Sequence, residues 1–528
     1  MRQFHSYGPV NEKQHFVVKR DELIEHCLNN LVGDPEQGGH FFTIWAPRQT
    51  GKTWLMRQVK AQIQQHYGDK FIVGMMSMQG IVLDKDTYED HFLSQVPRIF
   101  WESFRIEIPL PTSWNHWIDL FDKDKGIFKK PLILFIDEFD SLPPKIIDRL
   151  VTLFRDMYLK RESYLLHGLA LIGVRAVLGV ESDRGSPFNI QRSLHVPNFT
   201  KAEVIDLYQQ YHHEIHQKID PIVVESVYDA TRGQPGLVCW FGELLTEKYN
   251  IHQDKPIDLQ CWNEVFNAAL CREWNNTILN LVKKAKGEYA NYVIELFTQS
   301  NIPFSIWQEW CSYLYLNGII DQQEIVDSNG KKNYVCRFAS PFVQQCLYAS
   351  LTNDLTGDRL PILALDPLDD LSDVFNAQEL NMPALLERYK SYLKRLKAKG
   401  LNPWKEQPRR SDMHITEAVG HFHLYAWLHH AIGRRCVISP EFPTGNGKVD
   451  LHIRCIDKRG IIEVKSFTDL AQIQESIAQA SVYAKQMGLT TVTIAMFTPV
   501  EDETVLAKLS REVISNTVRV IVVAIGWY

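Results

Sequence analysis

The stretch His40-Phe-Phe-Thr-Ile-Trp45 leads directly into Ala46-Pro-Arg-Gln-Thr-Gly-Lys-Thr53, and a helical pattern follows over residues 54–65. An apolar run, a short loop and an amphipathic segment in that order predict strand, loop and helix. The loop fits GxxxxGK[ST], with Ala46 in place of the first glycine. Its residue types suit a phosphate. Backbone N–H groups from Gln49 to Thr53 can wrap the anion, and the helix N-terminus adds a favourable dipole. Lys52 can reach the outer phosphates, and the Thr53 hydroxyl suits Mg²⁺. Gly51 lets the backbone approach without a Cβ. Ala46, Pro47, Arg48, Gln49, Thr50, Gly51, Lys52 and Thr53 are therefore candidate nucleotide-binding residues.

A second apolar strand, Pro131-Leu-Ile-Leu-Phe-Ile-Asp-Glu138, ends in two carboxylates. Asp137 is placed to hold the magnesium through water and Glu138 to polarise an attacking water. Further out, strands over 40–46, 70–76, 132–137 and 169–174 alternate with amphipathic stretches, as in an open parallel α/β sheet. From Thr200 the pattern turns helical. Thr200 and Glu203 form a capping box opening a helix over 202–215, and Thr231-Arg-Gly-Gln-Pro-Gly236 breaks it before an apolar helix over 237–245. Residues 288–351 read as helix, helix and hairpin, with strands 319–326 and 333–339 around Asp327-Ser-Asn-Gly330. That order suits a winged helix.

Ala46-Pro-Arg-Gln-Thr-Gly-Lys-Thr, Leu134-Phe-Ile-Asp-Glu-Phe-Asp140, Gly185-Ser-Pro-Phe-Asn189 and Thr231-Arg-Gly-Gln-Pro-Gly-Leu-Val238 together resemble the AAA-like ATPases, relatives of the STAND-type signalling ATPases. The resemblance spans roughly the first 350 residues and includes a helical lid and winged helix. It implies ATP and a switch between nucleotide states. It also places Arg175 where such ATPases carry a γ-phosphate sensor, with Arg184 and Arg232 as weaker candidates. The repeat-built sensor domain usual in the STAND relatives is not found in this sequence.

Composition narrows the class. The 528 residues are 45% apolar and 23% charged with net charge −6, which fits folded domains and excludes a low-complexity or collagen-like chain. The apolar runs are too short for a bilayer and no apolar leader stands at residues 1–16. The nine cysteines form no CxxC pair. A cytoplasmic, multidomain chain that meets no membrane is the expectation. Charge is unevenly placed. Asp366, Asp369, Asp370, Asp373 and Glu379 precede Arg388, Lys390, Lys394, Arg395, Lys397, Lys399, Lys405, Arg409 and Arg410. This reads as an acidic, proline-bearing linker (353–383) before a basic helix (382–399) that either is simply solvated or tracks a phosphate backbone.

The C-terminal block carries a second constellation. Strand Lys448-Val-Asp-Leu-His-Ile453 holds Asp450, and Gly460-Ile-Ile-Glu-Val-Lys-Ser466 follows across the turn at 457–459. Alternation puts Glu463 and Lys465 on one sheet face, where Asp450 joins them if the hairpin pairs in register. Two carboxylates and the Val464 carbonyl make a hard-cation site for Mg²⁺ or Mn²⁺. Lys465 can position or deprotonate a water, and Glu417 on a preceding helix (415–431) can reach a second metal. Asp450, Glu463 and Lys465, with Gln479-Ala-Ser-Val-Tyr483 on the next helix, resemble the PD-(D/E)xK nuclease superfamily and its RecB-type QxxxY motif. The resemblance covers about 110 residues and implies Gln479 and Tyr483 as residues that orient the lysine or contact DNA. The proline before the aspartate is absent. His414, His421, His423, His429 and His430 form no HxxxH face and are read as structural or DNA-facing.

The expected architecture is thus α/β and multidomain. It comprises a P-loop NTPase core with a parallel sheet (1–198), helical lid (199–286), winged helix (287–352), acidic linker and basic helix (353–400), and a mixed α/β restriction-endonuclease-like domain (401–528). The expected activity is ATP-regulated, metal-dependent hydrolysis of DNA, or else RNA, suited to defence, repair or DNA mobility. The alternative is a nucleotide-switched DNA- or protein-binding regulator with a silent nuclease fold. Self-association and a protein trigger are expected partners. Helicase-like translocation ranks below both, for want of a second motor-like domain and a clear arginine finger.

Overall fold

The protein was analysed as a computed structural model, which describes residues 2–81, 88–173, 193–298, 302–326, 330–356, 362–375, 379–404, 415–433, 435–444, 447–455, 458–467 and 470–527. Arg175, Arg184, the 185–189 motif, Asp327 to Asn329, Lys405, Arg409, Arg410, His414 and Asp457 lie outside the described residues. The chain forms two compact units, Met1–Trp262 with Leu316–Gly318, and Asn263–Tyr315 with Ile319–Tyr528.

The first unit is built on five parallel strands: β1 (Phe41–Trp45), β2 (Ile72–Ser77), β3 (Leu132–Asp137), β4 (Leu166–Gly173) and β5 (Ser193–His195). Their order is β2-β3-β4-β1-β5, so β4 separates the two strands that carry the loop and the acidic pair. Both faces are covered, which is why β3 reads as an unbroken apolar run. Ile133 and Phe135 face one core with the helices Asp21–Val32 and Lys52–Tyr67. Leu132, Leu134 and Ile136 face the other, against Tyr88–Phe104 and Pro144–Leu159.

Two strand starts differ from the sequence reading. β2 begins at Ile72 because Gly68–Lys70 closes a 3₁₀ turn. β4 begins at Leu166, earlier than the apolar run suggested, because His167 turns outward and its Nε2 bonds the Val32 carbonyl at 2.7 Å. The capping box is present: the Thr200 hydroxyl accepts from Glu203 N–H, and the Glu203 carboxylate accepts from Thr200 N–H at 2.7 Å. Helices Lys201–Ile215, Pro221–Thr231 and Pro235–Glu243 follow.

In the second unit, helices Asn276–Ala285, Ala290–Thr298 and Glu309–Leu316 precede an antiparallel hairpin, β6 (Ile320–Val326) and β7 (Lys332–Phe338), and the helix Pro341–Thr356. A six-stranded mixed sheet follows. It comprises β8 (Val437–Thr444), β9 (Gly447–Cys455), β10 (Lys458–Ser466), β11 (Thr491–Thr498), β12 (Arg511–Ser515) and β13 (Val518–Gly526), in the order β12-β13-β11-β10-β9-β8. The centre, β10-β11-β13, is parallel, and both margins are antiparallel. Helix Leu470–Gln486 covers one face through Ile473, Ile477, Ala480 and Tyr483.

The acidic stretch is not a free tether. Val374 and Leu380 are buried, Leu380 N–H donates to the Arg459 carbonyl at 3.1 Å, and Glu379 accepts from the backbone of Thr490 and Thr491. Its aspartates also answer the basic helix Met382–Ala398. Arg388 pairs with Asp373 at 2.9 Å and Arg395 with Asp366 at 3.3 Å, while Lys394 and Lys397 pair with Glu503 and Glu501. The opposite face of that helix buries Leu385, Leu386, Tyr389 and Leu396. Within the described residues, part of the charge switch is thus internal complementarity between neighbours in the fold. No helix among the described residues is long and apolar enough to cross a membrane.

One packing constraint is sharp. The end of the helix Asp21–Val32 rests on two glycines, and a Cβ at Gly39 or Gly168 would lie 1.8 or 2.2 Å from the Leu31 carbonyl oxygen. Gly168→Ala is expected to destabilise the first unit by about 1–3 kcal/mol, the usual scale of overpacking. The measurement is the urea midpoint of its unfolding transition, and an unchanged midpoint would mean that the helix slides at no cost.

Candidate functional site

The sheet places the loop and the acidic pair together. Gly51 ends the loop at φ +89°, a left-handed conformation that favours glycine. An added Cβ there would meet no atom, so in this state conformation rather than space is what calls for glycine. Gln49 is also left-handed, at φ 57°. Lys52 Nζ donates to the carbonyls of Ala46 and Pro47, each at 2.8 Å, and the Thr50 hydroxyl donates to the same Pro47 carbonyl. Across the sheet, the Thr53 hydroxyl donates to Asp137 Oδ2 at 3.0 Å, and Asp137 Oδ1 accepts from Glu138 N–H. Two hard oxygen donors in contact suit the Mg²⁺ role expected of Thr53 and Asp137.

Electrostatics match this arrangement. Burial pulls the Lys52 ammonium down to about 8, against the opposing pull of Glu138, Asp137 and Asp140. Burial, then Asp137 and Asp140, raises the Glu138 carboxyl above the usual carboxylate range. Arg232 pairs with Asp229 at 3.7 Å, and it is Gln234 that reaches the loop. Gln234 Nε2 donates to the Arg48 carbonyl at 3.1 Å, and Gly236 N–H donates to the Gln49 carbonyl at 3.0 Å.

A cavity of about 140 Å³ opens beside the loop, which the sequence reading missed. Gln49, Thr50, Gly51 and Trp54 form one side, and the N-terminal segment closes another with His5, Phe16 and Val18. That segment is tied down at several points. Ser6 N–H and Oγ donate to the two oxygens of Glu243, Arg2 pairs with Glu214 at 2.9 Å, and Phe4 lies against Gly242. A short segment without periodicity gives no pattern to find in the sequence, although its aromatic and apolar content was visible.

The second constellation also assembles. β9 and β10 pair from Lys458↔Cys455 to Ile462↔Leu451 and then diverge, and the Asp450 carboxylate fills the gap. Asp450 Oδ2 accepts from Val464 N–H at 2.6 Å. Lys465 Nζ lies 2.9 Å from Glu417, 3.7 Å from Asp450 and 3.9 Å from Glu463. Gln479 Nε2 donates to the Tyr483 hydroxyl at 2.7 Å, one helical turn away, and the Tyr483 hydroxyl feels the charges of Glu463, Lys465 and Asp450. Burial alone would lower the Lys465 pKa, but Asp450, Glu417 and Glu463 outweigh it and hold the ammonium protonated. Lys465 Nζ thus stands within reach of all three carboxylates. Glu417 Oε1 accepts from Lys465 Nζ at 2.9 Å.

Among the described residues no group of three or more His, Cys, Asp or Glu side chains is arranged to hold a metal ion. Asp450 and Glu463 are nonetheless hard oxygen donors, so Mg²⁺ or Mn²⁺ there needs the Val464 carbonyl and water to complete it. Of the histidines, His421 and His423 are buried, His423 bonds Tyr389 at 2.6 Å, and burial lowers its pKa to about 4.

Parallel strand, loop, helix and acidic strand end define an N-terminal P-loop ATPase domain. A family model described as an AAA-like domain matches residues 5–277, just over half of the chain, and the protein belongs to that family. Three solved structures are similar to it. A Walker-type ATPase of Pyrococcus abyssi is 14% identical, with 65% of this chain and 99% of that chain covered and a TM-score of 0.45. The Orc1 protein of Aeropyrum pernix, in complex with DNA, is 12% identical over 63% and 93%, with a TM-score of 0.32. The RuvB Holliday junction branch migration motor of Thermotoga maritima is 13% identical over 61% and 92%, with a TM-score of 0.34. No curated protein matches the chain.

The depressed Lys52 pKa has a direct consequence. Only protonated Lys52 attracts phosphate, so its contribution is present below about 8 and fades as pH rises through that value. ATP affinity, measured by fluorescence of a labelled analogue, is expected to fall between about pH 7 and pH 9. Lys52→Ala is expected to lower it by about 1.5–3 kcal/mol and to flatten the pH profile. An affinity that ignores pH in the wild type would contradict this account of Lys52.

Proposed function

We propose that the protein is an ATP-regulated, divalent-metal-dependent nuclease acting on DNA. The observation that carries the reading is the convergence of Asp450, Glu463, Glu417 and Lys465 at the diverging end of β9 and β10, beside Gln479 and Tyr483. In this reading residues 1–198 are the ATPase core, 199–286 its lid, 287–352 a winged helix, 353–400 an acidic and basic connection, and 401–528 the nuclease domain.

Asp450, Glu463 and the Val464 carbonyl would hold Mg²⁺ or Mn²⁺, which when bound supplies Lewis acidity and an activated water. The chain's own groups do the rest. Lys465, kept charged by its carboxylates, would face the scissile phosphate and neutralise the charge that builds on it. Glu417 would hold that ammonium in place, and the Gln479–Tyr483 pair would orient it or contact the DNA backbone. At the first site the loop amides, Lys52, Thr53 and Asp137 would bind ATP-Mg²⁺, with the nucleoside in the adjacent cavity. Glu138, whose raised pKa suits proton transfer, would act on the attacking water. The contacts of Gln234 and Gly236 with the loop would pass the nucleotide state to the lid. A role in defence against foreign DNA, self-association and a protein trigger belong to the same reading.

The test is cleavage of supercoiled plasmid with Mg²⁺ or Mn²⁺, with and without ATP. Wild type is expected to cut, Lys465→Ala to lose about 10²-fold or more, and Lys52→Ala to lose the response to ATP. DNA binding without cutting under every condition would favour a nucleotide-switched regulator with a silent nuclease fold.

A further inference from the structure

Asp450 is held at its main chain as well as at its carboxylate. His421 Nε2, on the helix Glu417–Ile432, lies 2.9 Å from the Asp450 carbonyl oxygen. The other ring nitrogen, Nδ1, lies 2.9 Å from the hydroxyl of Tyr348, a fully buried residue of the helix Pro341–Thr356. A carbonyl only accepts, so Nε2 carries the proton, and in the neutral ring Nδ1 accepts from the tyrosine hydroxyl. Each bond thus fixes the direction of the other. The tyrosine ring is packed on several sides: Tyr348 stacks on Phe422 at 4.4 Å and meets Phe297 and Tyr425 edge-on.

The anchoring helix starts just past the β6–β7 hairpin, where Ala339 N–H bonds the Ile319 carbonyl and Ser340 caps Val343 N–H. The same helix makes a second polar contact with the sheet margin, Gln345 Nε2 to Ser439 Oγ at 3.2 Å on β8.

We propose that His421 and Tyr348 are positioning residues for the carboxylate centre, through which the helix behind the hairpin sets where Asp450 stands. The inference rests on the nuclease reading. β8 holds the far edge of β9 on either side of Asp450, and Asp450 itself is anchored at its carbonyl by His421 and at its carboxylate by Val464 N–H. Loss of the His421 anchor leaves the carboxylate on a strand that has already parted from β10. Neither residue touches the reacting atoms, so the effect falls on turnover and metal affinity rather than on DNA capture.

The experiment uses the full chain, plasmid cleavage kinetics with Mn²⁺, and calorimetry with Mn²⁺ alone. His421→Phe, which keeps a flat ring and removes both nitrogens, is expected to lower kcat and Mn²⁺ affinity by about 10–100-fold with KM for DNA unchanged. Tyr348→Phe removes one oxygen from a position that keeps its packing, so it serves as the second variant if His421→Phe melts early. Its expected loss is smaller, about 3–10-fold. His421→Gln restores an N–H within reach of the carbonyl and is expected to recover part of kcat, which a purely structural role would not produce. If wild type cuts or binds Mn²⁺ and the folded variants match it within about twofold, the inference falls and the nuclease reading stands. If wild type neither cuts nor binds Mn²⁺, the nuclease reading fails and takes the inference with it.

Discussion

An ammonium group taken out of water needs compensation worth several kcal/mol, and both sites of this protein are organised around one. They meet the need in opposite ways. Lys52 is satisfied by two loop carbonyls, which are partial charges, and burial leaves it with a depressed pKa of about 8. Glu138, Asp137 and Asp140 oppose that shift without cancelling it. Lys465 lies among Asp450, Glu417 and Glu463, which raise its pKa despite burial. There the anions are in excess. The first arrangement suits a phosphate, whereas the second is a protonated ammonium set among three carboxylates.

The same bookkeeping explains the basic helix. A row of lysines and arginines attracts phosphate only while its charge is unspent. Arg388, Lys394, Arg395 and Lys397 meet carboxylates from the preceding acidic stretch or from residues 501 and 503. Such exposed pairs contribute little to stability. They do reduce the field that a DNA strand would feel along residues 388–397.

Much of this was legible in the sequence where local pattern and tertiary demand agree. β3 falls at Leu132–Asp137 as read, because a central parallel strand must be apolar on both faces, and the Thr200–Glu203 capping box is a purely local device. The meeting of Asp450, Glu463 and Lys465 followed from period-two alternation and one hairpin register. Reading failed where a partner lies far along the chain. Nothing local says that Asp366 will find Arg395, that Gln234 rather than Arg232 will touch the loop, or that His421 will hold the Asp450 carbonyl. His167 broke the apolar run at the start of β4, where it packs on Phe71 and bonds a helix end.

The N-terminal segment has a consequence for how the chain is made. Phe4, Ser6 and Arg2 rest on residues 242, 243 and 214, and together with the loop they wall the cavity beside it. A ribosome adds about 5–20 residues per second, so residues 2–6 emerge well before the partners they dock on. The parallel sheet can begin to form meanwhile, but the segment has nowhere to dock until Glu243 has emerged. Residues 2–6 are therefore among the last of their unit to be seated, and the cavity cannot take its full form until Glu243 has been made.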